Sequence, residues 1–250
     1  MEVHGHTRTP RKKWTHYFWE FLMLFLAVFC GFIAENQREH LIEHRREKVY
    51  MSSMLNDIRA DTTMLNLMHR TFVTVTNHID SLIPLLLDKE MHKNAGKIYQ
   101  HQVWLNFFAR WIYSDRTISQ LKNSGNFRLI RKKSVSDMII EYDGFVTNYV
   151  GDMQQQYILP LWRVISDGSA GIFRTGIGRK KFKSTGWKES SVELSQPPYF
   201  ISNEKYTLEK FVNQLEQYGM AIEWGNGNIN NALKKAAKLD SLIKKEYHFD

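Results

Sequence analysis

The chain has 250 residues, 43% of them hydrophobic and 13% aromatic, with a formal charge of +8 and one cysteine. That composition supports a folded body and excludes a disordered one. A lone cysteine excludes an intramolecular disulfide and a thiolate metal cluster. The positive charge suits anionic surfaces, such as lipid headgroups or acidic polymers.

The first element is Trp14 to Ala34, WTHYFWEFLMLFLAVFCGFIA. As a helix, its 21 residues reach roughly 31 Å, close to the hydrocarbon thickness of a bilayer. Arg8, Arg11, Lys12 and Lys13 precede it, and Trp14, Tyr17 and Trp19 cluster at that basic end. Amphipathic rings favour the headgroup level. Glu20 lies near the helix start, within reach of the interface. Phe29, Phe32 and Ile33 leave no small-residue cleavage site, and Cys30 follows Val28 and Phe29, unlike a lipoprotein cysteine. The reading is an uncleaved anchor, with a cleaved leader or a buried helix as the alternatives. Residues 1–13 form a short basic leader, kept in the cytoplasm by the charges abutting the span. The remainder is then extracytoplasmic, and nucleic acid is not an expected partner there.

Residues 35–50 are polar on nearly every side, with Glu35, Glu39, Glu43 and Glu47 four apart. Such a helix bridges through solvent or is held by side-chain pairs. It reads as a stalk that could pair as a coiled coil. Apolar periodicity starts at Met51 and continues through positions 55, 58, 62, 65, 69, 72, 76, 79, 83 and 86. Eight of those eleven are apolar, which predicts a one-faced helix to about Asp88, with Asp61 as a candidate break and Pro84 tightening the end.

Lys89 to Gly96 is a polar connector. The aromatic run Ile98 to Tyr113 reads as a core helix, and Asp115 to Lys122 as a short one stopped by Asn123-Ser124-Gly125-Asn126. Ser134 with Asp137 resembles a helix-start box. Val135, Met138, Tyr142, Phe145, Tyr149 and Met153 mark the next packed face, continuing toward Val164. Residues 167–203 hold five glycines and two prolines and read as one long irregular loop with room for a small hairpin. The last helix begins near Asn203, with positions 208, 212, 215, 219, 222, 226, 229, 233, 236, 240 and 243 as its face and Gly225 and Gly227 as bending points. The fold class is all-α: a transmembrane helix continuing into a stalk and an antiparallel helical bundle, residues 51–250.

Two runs of the chain resemble a family of uncharacterised single-pass inner-membrane proteins from Gram-negative bacteria. One is the anchor and stalk, KKWTHYFWEFLMLFLAVFCGFIAENQREHLIEHRREKVYMSSMLNDIRADT, ending in an acidic pattern at Leu55, Ile58 and Asp61. The other is TISQLKNSGNFRLIRKKSVSDMIIEYDGF, with Leu121, Ser124, Gly125, Asn126, Ile130, Ile140 and Tyr142 in matching places. The resemblance covers 80 to 90 residues and implies an inner-membrane protein with a helical extracytoplasmic domain. It implies no activity.

Three candidate sites stand out. His40-Leu41-Ile42-Glu43-His44 has the spacing of an inverted zinc-peptidase motif, with His40 and His44 on one helical face. It sits in the polar stalk, where a solvated face explains it as well. Glu20, Ala27, Gly31 and Ala34 share one face of the span, where small residues allow helix pairing, and Glu20 can meet His16 or a partner chain. A lipid-facing helix is the alternative. Arg174, Arg179, Lys180, Lys181 and Lys183 form a basic glycine-rich loop, either a surface for anionic lipid or polymer or a solvated loop. It lacks the lysine and hydroxyl residue of a phosphate-binding loop. No motif calls for a cofactor. The expected partners are the bilayer, a second copy through the span and stalk, and a membrane protein. The expected function is a non-enzymatic interaction, scaffold or sensory-type accessory protein of the bacterial envelope. An extracytoplasmic enzyme with its site at loop 167–203 is the alternative.

Overall fold

The computed structural model describes residues 14–174 and 200–249. Among them 87% are helical and none forms a strand; one isolated antiparallel bridge joins Phe173 to Phe200. The all-α class is therefore as expected. The helices are α1 (Trp14–Leu87), α2 (Ala95–Trp104), α3 (Arg116–Asn123), α4 (Lys133–Phe145), α5 (Leu159–Ile172) and α6 (Lys205–Tyr247), with single 3₁₀ turns at Met91–Asn94 and Asn126–Leu129. Two compact units divide the chain, residues 1–50 and 51–250.

In the first unit, α1 exposes nearly every described side chain, including Phe18, Phe21, Phe25, Phe29 and Phe32. This is the helix long and apolar enough to cross a membrane among the described residues. Phe21, Phe25 and Phe29 stack along one ridge at the four-residue spacing of a helix. The polar continuation is less uniformly solvated than its sequence suggests. Glu47 is buried, and His44 Nδ1 lies 3.3 Å from its carboxylate.

In the second unit, no glycine or proline interrupts α1 from Met51 to Ile83, so the helix runs through Asp61 unbroken. Pro84 gives up one ladder bond in the final turn, where the helix stops. The buried seam is Met51, Met54, Ile58, Asp61, Leu65, Met68, Phe72, Val75, Ile79, Leu82 and Leu86. It alternates three and four but starts with three, so Thr62, His69, Thr76 and Ile83 fall to its flank. Ten of its eleven members are apolar; Asp61 is the exception. Each buried Leu, Ile, Met or Phe contributes about 1.5–3 kcal/mol.

The same correction applies to α6. Its seam is Leu208, Phe211, Leu215, Tyr218, Ile222, Gly225, Ile229, Ala232, Ala236, Leu239 and Ile243, with Asn226, Leu233 and Asp240 beside it. Gly225 and Gly227 do not break the helix. Gly225 serves close packing: a Cβ there would stand 2.8 Å from Ile158 Cδ1, 3.1 Å from Met153 Cε and 3.2 Å from Phe72 Cε2.

Topology follows from which residues meet. Phe72 lies at Gly225, and Ile79 at Gly219, so α6 runs antiparallel to α1. Lys132 pairs with Glu246, Met153 Sδ accepts from Asn228, and Gly168 abuts Phe211, so α4 and α5 also run antiparallel to α6. The stretch 98–121 descends between these legs. His101 meets His78, Gln154 meets Ala109 and Trp111, Ser114 meets Asp61, and Thr117 meets Asp57. The 51–250 unit is thus an up-down-up-down antiparallel bundle.

The descending leg explains a second correction. Between the levels of His78 and Asp57, α1 rises about 31 Å at 1.5 Å per residue. The 16 residues from His101 to Thr117 would span only about 24 Å as a helix. The leg therefore leaves helical geometry after Trp104, and residues 105–115 are irregular rather than helical. Leu105 and Trp111 on this stretch are nevertheless core residues. Further along the chain, residues 167–172, expected in a loop, complete α5. Ser134 and Asp137 form no capping box, since α4 begins at Lys133 without a side-chain cap.

From Lys133 to Ile172 the chain stays helical, but it widens into π-helical turns at Val146–Asp152 and Gln154–Ile158. Pro160 follows and cannot return an N–H to the ladder. The packed face here is Val135, Ile139, Tyr142, Val146, Val150, Met153, Gln154 and Ile158. Phe145 is only partly covered, and Tyr149 is exposed, against expectation.

Candidate functional site

The irregular stretch 105–115 is where the polar chemistry of the bundle converges. Past Phe107, whose N–H still closes a turn on Trp104, its N–H groups lack helical partners, and a buried unpaired N–H or C=O costs about 1–3 kcal/mol. Side chains from the long helices supply the partners. Gln154, fully buried at the start of the second π turn, accepts from Trp111 N at 2.7 Å and donates to Ala109 O at 2.8 Å. Trp162 Nε1 donates to Leu105 O at 3.1 Å. One α1 carboxylate, Asp61, accepts from Ser114 N at 2.8 Å and from Tyr142 OH at 2.9 Å.

Asp57, one turn earlier, accepts from Thr117 N at 2.9 Å and from Arg116 Nη2 at 2.7 Å. Thr117 is the second residue of α3, whose own N-cap, Asp115, turns its carboxylate to Ser119 Oγ instead. Asp57 thus caps α3 from another helix, satisfying an N–H that the helix itself cannot. Below them, Asp143 accepts from Tyr113 OH at 3.0 Å and from Lys122 Nζ at 2.5 Å.

Burial pushes the Asp61 carboxyl up to about 6, against the lowering effect of Ser114 and Tyr142 and with a further upward push from Asp57. Burial, then the neighbouring carboxylates, push the Tyr113 and Tyr142 phenols well above the ordinary phenol range. A carboxyl near 6 is the kind of group that moves protons in active sites. Here, however, each oxygen of Asp61 accepts a bond from the protein's own backbone or phenol. The arrangement holds the descending leg against α1 and α4.

The end of the anchor-and-stalk run and the 117–145 run meet at this point. Asp61 lies one residue before the end of the first and Tyr142 lies in the second, and they share a hydrogen bond. Gly125, in the same second run, takes a left-handed φ of 67°, as a helix-stopping glycine does.

The sequence candidates are placed as follows. His40 Nδ1 lies 4.0 Å from Glu43, and His44 Nδ1 3.3 Å from Glu47, so each histidine faces a glutamate three residues on. Among the described residues no group of three or more metal-ligating side chains occurs. Glu20 lies 3.1 Å from His16 Nε2, the intrahelical contact expected of it. Ala27, Gly31 and Ala34 are exposed, and nothing stands within 4 Å of a Cβ built on Gly31. Arg174 is exposed, and its carbonyl accepts from Tyr99 OH at 2.9 Å. Arg179, Lys180, Lys181 and Lys183, with most of the loop proposed for an enzyme site, lie outside the described residues.

Two features were not anticipated. On α6, Met220 and Trp224 are four residues apart and so share a helix face, and Tyr157 from the second π turn meets Trp224 edge-to-face at 5.8 Å. All three are more than half exposed, at 63%, 53% and 55%. The other feature is a histidine pair between α1 and α2, His78 and His101. Compared with protein-family models, with curated proteins and with solved structures, the chain matches none.

Proposed function

We propose that this chain is a membrane-anchored helical interaction module, of scaffold or sensory-type accessory character, in the inner membrane of a Gram-negative bacterium. The basic residues Arg8, Arg11, Lys12 and Lys13 hold the N-terminus in the cytoplasm, and the bundle 51–250 works outside it. The resemblance of the anchor and of the 117–145 run supports the compartment. The apolar, exposed Phe18–Ile33 stretch supports the anchor.

The observation that carries the interaction reading is the contiguous Tyr157–Trp224–Met220 surface. Tyr, Trp and Met are enriched at interface cores: the two rings bury large area at small entropic cost, and the thioether adapts its shape to a partner. The bundle's buried carboxylates and Gln154 support the same reading, since their hydrogen bonds hold chain segments together.

A photo-crosslinking residue at position 224, in the full-length protein in native membranes, tests it. A discrete adduct is expected, lost when Met220 and Tyr157 are both changed to serine. The reading fails if position 224 gives no more adduct than the same probe at Lys210, on a polar exposed stretch of α6. The anchor has its own test. The protein should stay in the membrane pellet after alkaline carbonate washing, and its release would remove the anchored part of the proposal.

A further inference from the structure

His78, near the C-terminal end of α1, and His101, on α2, bring their Nδ1 atoms to 2.9 Å. Their rings are 5.1 Å apart between centroids and inclined at 58°. The His78 ring is held by stacking. Trp104 lies flat on it, at 4.9 Å and 6°, and Phe107 stacks in turn on Trp104 at 4.7 Å. Both histidines are partly covered and partly open to solvent.

We propose that His78 and His101 form a two-histidine binding site for a divalent late transition-metal ion, with Cu²⁺ the preferred occupant. Metal–imidazole bonds of about 2.0–2.1 Å, set at 90–110° to one another, place the two nitrogens about 2.9–3.4 Å apart. The observed separation is already that of two adjacent ligands. Cu²⁺ favours the right-angled arrangement and binds nitrogen sites most tightly among the divalent first-row ions. The half-open setting leaves its other positions to water.

The protonation states suit this role. Burial lowers the pKa of both rings, and the neighbouring His101 lowers that of His78 further, to about 4. Both imidazoles are therefore neutral at neutral pH, as metal ligation requires. Without metal, one Nδ1–H donates to the other Nδ1. On binding, that proton moves to Nε2 of its own ring, and both Nδ1 lone pairs face the ion. No proton is lost from the pair, and no redox step is involved. The stacked Trp104 and Phe107 fix the His78 plane before the ion arrives, which limits the ordering cost of binding.

Titrating the full-length protein in detergent with copper(II) sulfate tests the site. One ion per chain is expected, with an electron paramagnetic resonance spectrum showing two equatorial nitrogens. His78→Gln and His101→Gln should each weaken binding at least tenfold, while the double change His40→Ala with His44→Ala leaves it unchanged. Bound Cu²⁺ should also protect His78 and His101 of the unaltered protein from diethyl pyrocarbonate, mapped by mass spectrometry. That measurement does not depend on any variant folding. Equal protection of all histidines, binding that survives the loss of both His78 and His101, or binding abolished by the His40 and His44 change would each overturn the proposal.

Discussion

Residues 18–33 and residues 51–86 are two apolar stretches of one helix, and they use their apolar side chains in opposite ways. In the first, phenylalanines and leucines point outward around the helix, and Gly31 has open space about it. In the second, apolar residues keep to one seam, packed against α6 and its partners, with no room for a methyl group at Gly225. Composition alone does not separate the two. What separates them is angular distribution: an apolar surface on all sides suits lipid, and an apolar stripe suits a protein core. Charged groups divide in the same way. Glu35 and Arg38 pair at 2.6 Å in full exposure, whereas Asp57 and Asp61 are buried and each hold a backbone N–H.

The sharpest way to break this contrast is one substitution made in both places. Gly225→Leu drives a branched side chain into Phe72, Met153 and Ile158. It should destabilise the bundle by at least about 3 kcal/mol, read as a fall in the urea midpoint of the detergent-solubilised protein. Gly31→Leu should leave that midpoint where it is. It should instead lower the crosslinked dimer fraction in membranes if the Glu20–Ala27–Gly31–Ala34 face pairs, and an unchanged fraction would retire that interface.

A smaller effect is expected from the carboxylates. Asp57→Ala strands the Thr117 N–H at the start of α3 and should cost about 2 kcal/mol by the same urea measurement. Glu35→Ala should give no measurable change. A result in which both behave alike would erase the distinction between the two parts of α1.

The smallest expected change is a gain in stability. Asp61 holds its proton more tightly folded, near 6, than its ordinary value of 3.8. Folding is therefore favoured by protonation. This contribution is fully present below about pH 4 and is lost as pH rises through 6. Asp61→Asn keeps an acceptor for Ser114, reverses the Tyr142 bond so that the amide donates to the phenol oxygen, and removes the buried charge. It should raise stability by about 1–2 kcal/mol at pH 7.5 and by almost nothing at pH 4. Destabilisation at both pH values would mean that the charge itself holds the descending leg.

The helical class, the long first helix and the packed last helix were all legible in spacing and in the absence of breakers. The exact seams were not. In α1, the true seam carries a carboxylate at position 61, and counting from Leu55 led to Thr62 and His69 instead. A buried aspartate is affordable only because Ser114 and Tyr142 supply its hydrogen bonds, and they lie 53 and 81 residues away. Local pattern holds no trace of them.

The same limit misled the reading of 98–113 as one helix. Of its aromatic residues Tyr99 and Trp111 belong to the core and the others are partly covered, but its length is set by the distance it must cover beside α1. Gln154, which makes that departure tolerable, resembles any polar residue in a helix until its partners are known. The histidine pair is hidden for the same reason, since His78 and His101 belong to different helices. Of the sequence candidates, the spacing that brought Glu20 to His16 was local and was met.

The wide turns between Phe145 and Leu159 have a consequence for rotation about the helix. Tyr142, Val146, Val150, Gln154 and Ile158 recur every fourth residue, and all are buried. In a regular α-helix each step of four overshoots a full revolution by about 40°, so Ile158 would end about 160° away from Tyr142. The i→i+5 turns absorb that overshoot. One continuous rod can therefore aim Tyr142 at Asp61, Gln154 at the descending leg and Ile158 at Gly225. Deleting a single residue here would leave a helix that is still helical, with α5 turned by about 100° against its neighbours.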